Sequence, residues 1–96
     1  MPHYIALIHK EADSSYGVSF PDVPGVITAA DTIDAAMQRA AEVLEFAAGD
    51  WIEQVGTAFP HPRTIDELRC DAEFQEDSVG AMIAAVPFRA TAEAAE

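Results

Sequence analysis

Pro21-Asp22-Val23-Pro24-Gly25 places two prolines and a glycine within five positions, and no helix or central strand can run through such a segment. Phe20 and Val26 close in on it from both sides, so it reads as an ordered turn joining two structured segments. Each neighbouring element must therefore be short and must reverse direction here. Upstream, Tyr4-Ile5-Ala6-Leu7-Ile8-His9 is rich in β-formers with little alternation, the pattern of a strand buried on both faces. Glu11 to Ser15 is polar and turn-prone, and Tyr16-Gly17-Val18-Ser19-Phe20 resumes as a second strand that forms a hairpin with the first. Val26-Ile27-Thr28-Ala29-Ala30 reads as a third.

A helix follows. Asp31 or Thr32 can cap it, Asp34 suits its first turn, and Gly49 is the expected stop. Ile33, Met37, Ala40, Leu44 and Ala47 recur at spacings of three or four, with Ala36 and Val43 beside them, and this stripe must face a sheet. Asp34, Gln38, Glu42 and Glu45 point the other way. Trp51-Ile52 either extends the helix past a kink or begins the connection. Phe59-Pro60-His61-Pro62 is extended. Thr64 and Glu67, three apart, form a capping-box pattern for a short second helix through about Cys70. Asp71 to Asp77 reads as an acidic loop, and Gly80 to Val86 as a last strand ending at Pro87.

The expected fold is α+β: a three-stranded antiparallel meander, a crossover helix, a short second helix and a returning fourth strand. The 96 residues allow one domain, expected over residues 1–89, with 90–96 as a flexible tail or linker stump. One helix pair covers one sheet face only. Tyr4, Leu7 and Met82 are too apolar for full exposure, so a homodimer or larger homo-oligomer is expected to cover the other.

Charge narrows the function. Seventeen carboxylates against five Lys and Arg give a net charge of −12. Such a surface repels phosphate backbones, and direct nucleic-acid binding is not expected. It raises the encounter rate with a cationic partner, although acidity also simply keeps small proteins soluble. Cys70 is the only cysteine, so no disulfide within the chain and no thiolate metal site can form. The Met1-Pro2-His3-Tyr4 start lacks a signal-peptide pattern, and no apolar run is long enough for a bilayer; a cytoplasmic protein without membrane contact is expected.

Catalytic chemistry finds no foothold. His3, His9 and His61 lie on separate segments, each read as solvent-facing or hydrogen-bonded, and no metal is expected. Ser14, Ser15, Ser19 and Ser78 lack a nucleophile-elbow context, and Cys70 has no histidine at a telling spacing. Asp22, held between prolines, reads as a turn-fixing residue that accepts nearby backbone N–H bonds. No catalytic residue and no cofactor is assigned.

Phe20-Pro21-Asp22-Val23-Pro24-Gly25-Val26, followed by Thr28-Ala29-Ala30-Asp31-Thr32-Ile33-Asp34-Ala35-Ala36, resembles the signature of the HicB antitoxin family. There a Phe-Pro-Asp-Leu-Pro-Gly-Cys turn leads through a strand into a Gly-Asp-Thr-Leu-Glu-Glu-Ala helix start. Gly56 with Phe59-Pro60-His61-Pro62 is similar to the family's Gly-x-x-Ile-Pro-x-Pro segment. Val26 and Ala30 depart from the usual Cys and Gly.

The resemblance implies a partially degraded RNase H-like fold. It also implies an antitoxin role against a HicA toxin, a small basic ribonuclease whose catalytic histidine the antitoxin blocks. Many HicB proteins continue into a DNA-binding domain, and nothing after Arg89 here could form one. For docking, the acids of the main helix, Asp34, Glu42 and Glu45, are the electrostatic candidates, with the turn Phe20, Pro21, Asp22, Pro24 and Gly25 supplying shape; ordinary helix solvation is the competing role for each acid. Two other functions stay open. A solitary oligomeric domain would bind another protein or a small ligand, and a residual metal-dependent nuclease would need at least three converging carboxylates.

Overall fold

A computed structural model describes residues 2–88; the expected tail, 90–96, lies outside them. Strands β1 (His3–Lys10), β2 (Tyr16–Ser19) and β3 (Ile27–Ala30) form the meander, followed by helix α1 (Ile33–Val55), the short helices α2 (Ile65–Arg69) and α3 (Ala72–Asp77), and strand β4 (Met82–Pro87). All pairings are antiparallel and the sheet order is β3-β2-β1-β4. The α+β meander with a returning strand is thus the observed architecture.

β1 sits in the middle, Leu7 facing Ser19 on one side and Ile83 on the other. Because successive side chains alternate across a sheet, its uninterrupted apolar run serves two cores. Tyr4, Ala6 and Ile8 join Val18, Val86 and the α1 residues Ala36, Ala40 and Leu44 in the larger one. Leu7 points the opposite way and packs with Leu68 of α2 and Phe74 of α3, all three buried.

This second core corrects the expected covering of the sheet. Leu7 is covered by the chain's own α2 and α3, and Tyr4 belongs to the α1 side. Met82 and Ile83 do remain partly exposed, at 46% and 44%. The segment read as an acidic loop is α3: the Asp71 side chain accepts the Glu73 N–H at 2.9 Å and caps it, and Phe74 anchors it.

α1 runs through Gly49 to Val55. It stops at Gly56, whose φ of 89° lies in the left-handed region and whose N–H bonds the Ile52 carbonyl at 2.9 Å. A helical glycine costs about 0.5–1 kcal/mol relative to alanine. Packing beyond it offsets that: Trp51 meets Phe59 edge-on at 5.3 Å, and Phe59 stacks on Phe88. The buried stripe is Ala36, Ala40 and Leu44, whereas Ile33, expected on that stripe, is 37% exposed.

Candidate functional site

The prolines and Gly25 bend the chain at 21–25 through two consecutive turns, Val23 N–H to Phe20 carbonyl at 3.1 Å and Val26 N–H to Val23 carbonyl at 3.2 Å. Gly25, at φ 90°, takes the left-handed conformation that L side chains resist. The turn has two sides. Phe20, Val23 and Val26 are buried in the α1 core, while Pro21, Pro24 and Gly25 line a cleft of about 210 Å³ that α3 closes with Glu73, Phe74 and Asp77.

Asp22 does not fix this bend through a local bond. Its two oxygens accept from Arg63, Oδ2 from the backbone N–H at 2.7 Å and Oδ1 from Nε at 2.6 Å. The Asp22 side chain is 6% exposed and that of Arg63 40%. Arg63 also reaches Asp71 Oδ2 through Nη1 at 3.0 Å. One guanidinium therefore ties the turn to the cap of α3, and it stands immediately before Thr64, whose capping box with Glu67 starts α2. The hydrogen bond from Arg63, then the one from the Glu73 N–H, hold the Asp71 carboxyl below its ordinary range. The same two carboxylates raise the Arg63 pKa further. Burial, then the negative charge of Asp22, pushes Tyr4 above the usual tyrosine value; its hydroxyl donates to the Pro60 carbonyl.

The acids picked out on α1 lie elsewhere. Asp34 and Glu42 are exposed and Glu45 half-buried, on the helix face turned away from the sheet. The cleft is on the sheet's other side. Thus the turn and the α1 acids do not form one surface. Thr32 is the N-cap of α1, accepting the Ala35 N–H at 3.1 Å, and Asp31 instead receives the Ser15 hydroxyl at 3.4 Å.

A further acidic region lies on α2 and α3, with Asp66, Glu73, Glu76 and Asp77 exposed; the expected acidic loop from Asp71 to Asp77 is helical instead. An Asp at the cap position three residues before a lone Phe was the available signal.

Among the described residues no three His, Cys, Asp or Glu side chains come together as metal ligands. His9 shares a 3.0 Å hydrogen bond with the Asp77 carbonyl, and His3 and His61 are exposed. No helix among these residues is long and apolar enough to cross a membrane. What the described residues display is exposed carboxylates on both helical layers and a cleft lined by Pro21 and Pro24.

Comparison with known proteins bears on that recognition. The family model for HicB-like antitoxins of bacterial toxin–antitoxin systems matches residues 4–95. The crystal structure of the Burkholderia pseudomallei antitoxin HicB is similar at 30% identity and a TM-score of 0.70, over 91% of this chain and 63% of that one. This chain thus spans less than two thirds of that antitoxin's length. The amino-terminal domain of the same antitoxin, also 30% identical, aligns at 0.68 over 88% of this chain and 95% of that one. A HicA3 and HicB3 toxin–antitoxin complex supplies a chain with the same fold, 20% identical with a TM-score of 0.67, aligned over 91% of this chain and 98% of its own. No curated protein sequence matches.

Proposed function

The chain belongs to the HicB-like antitoxins of bacterial toxin–antitoxin systems, and from that premise we propose that it binds and neutralises a small basic ribonuclease toxin of the HicA type in the cytoplasm. The match over residues 4–95 carries the reading. Charge supports it, because a −12 body steers a cationic protein toward itself and disfavours competition by RNA. The activity is occlusion by a single binding domain over residues 1–89, without bond-making, cofactor or metal. Asp34, Glu42 and Glu45 on α1 form one candidate contact surface, and the cleft beside Pro21, Pro24 and Gly25 a second.

The test is co-expression of the full chain with the basic protein encoded beside its gene. The two should co-purify at low salt, dissociate progressively as salt screens the charges, and abolish RNA cleavage by the partner when mixed in equal amounts. No complex at low salt, or a complex that leaves RNA cleavage intact, defeats the proposal.

A further inference from the structure

α1 is longer than the sheet beneath it. Its 23 residues extend about 34 Å at 1.5 Å each, against about 26 Å for the eight residues of β1 and about 13 Å for the four each of β2 and β3. The apolar stripe continues past Leu44: Ala47 and Trp51 are half-buried against the main core, and Val55 beyond them is exposed. A cleft of about 320 Å³ opens along this end of α1, lined by Phe46, Ala47, Asp50, Trp51, Gln54 and Val55. Phe46 is 74% exposed and Val55 52%. The Trp51 indole Nε1 is shielded from solvent yet has no hydrogen-bond acceptor, the one buried side-chain polar atom so placed among the described residues.

The surrounding charge specifies the occupant. From residue 40 to residue 62 there is no Lys or Arg, while Glu42, Glu45, Asp50 and Glu53 stand on the helix. Glu42 and Asp50 lie four residues either side of Phe46, directly above and below it on the helix surface. A second copy would bring the same four carboxylates against these. The chain's own last residues add Glu93 and Glu96 with no cation after Arg89, and an anionic membrane would be repelled. We infer that the overhanging end of α1 seats a cationic amphipathic segment of the basic partner, apolar side chains between Phe46, Trp51 and Val55 and Lys or Arg beside Asp50, which lines the cleft, and Glu42 and Glu53, which flank Phe46 on the helix, in the manner of a helix laid into a groove. This rests on the antitoxin reading for the partner's identity but on the overhang alone for its chemistry.

Trp51 is the only tryptophan, so fluorescence of the full chain reports on this surface. The probe is a synthetic amphipathic helical peptide of Leu and Lys, compared with oligolysine of equal charge. The Leu/Lys peptide should shift the Trp51 emission saturably and bind about tenfold tighter than oligolysine. Phe46→Ser and Val55→Ser, which leave the charge unchanged, should each remove about fivefold or more of that affinity, and Ile83→Ser on β4 should remove none. Circular dichroism verifies that each variant is folded. Equal binding of oligolysine, or indifference to Phe46→Ser, overturns the inference.

The neighbour-encoded basic protein separates the two claims. If it binds the wild type and Phe46→Ser equally, the overhang is not the docking surface and the antitoxin reading survives. If it does not bind at all while the peptide binds through Phe46, the antitoxin reading falls and the chemistry of the surface stands.

Discussion

Arg63 holds Asp22 across 41 positions of sequence with two donors, its own backbone N–H and its Nε. Asp22 is nearly enclosed, so removing the guanidinium strands a carboxylate with little water to solvate it. Arg63→Ala should destabilise the fold by about 2–3 kcal/mol, below the full value for a buried pair because Arg63 itself is partly solvated. Lysine cannot present both the Nε and Nη1 donors in one plane, and Arg63→Lys should recover less than half. Urea unfolding of the two variants and of Asp22→Asn, closed as a double-mutant cycle, checks this; a coupling near zero would contradict the clamp.

Asp71 predicts a response to acid. Its folded-state pKa lies below the unfolded value, so its contribution to stability is complete above the ordinary carboxylate range and is lost as pH falls through the lowered value. In Asp71→Asn the amide still caps α3 but has no proton equilibrium to couple. The stability difference between wild type and variant should be flat near neutrality and shrink on acidification below the ordinary carboxylate range. Denaturant midpoints along a pH series measure it, and parallel curves throughout would refute the assignment.

Gly49 within α1 and Gly56 at its end should respond oppositely to alanine. Gly49 is helical with open space where a Cβ would stand, so Gly49→Ala should stabilise by about 0.5–1 kcal/mol. Gly56 has similar open space but sits at φ 89°, a left-handed conformation that L side chains resist, and Gly56→Ala should cost about 1 kcal/mol. Thermal melts suffice. A loss at Gly49 would show that the helix does not run through it.

Phe74 and Leu68 are the second core's cover over Leu7. Phe74→Ala should cost about 3 kcal/mol, read as a lower urea midpoint. A loss well under about 1 kcal/mol would show that Phe74 does not seal this core.

Much of the fold was legible because its signals are local. The Pro21–Gly25 turn, the Thr32 cap and the Thr64–Glu67 box each act within one turn of chain, and the run from Tyr4 to Ile8 announces a strand buried on both sides. The end of α1 was not legible. Gly49 and Gly56 are identical letters, and which of them stops the helix depended on Phe59 being placed where Trp51 could reach it. α3 was missed because five of the seven residues from Asp71 to Asp77 are polar and only Phe74 points inward.

The sequence by itself determined the order of the four strands with α1 and α2, the family and the sign of the charge, since these follow from residue identity and short-range spacing. Only the tertiary structure decided where that charge is displayed. Asp71 is drawn into a clamp with Asp22 and Arg63, α2 and α3 turn their acids to one side of the sheet, and α1 carries Asp34, Glu42 and Glu45 on the other. The physical reason is that a hydrogen bond or a packed ring joins residues tens of positions apart, and such pairings exist once the chain has closed on itself.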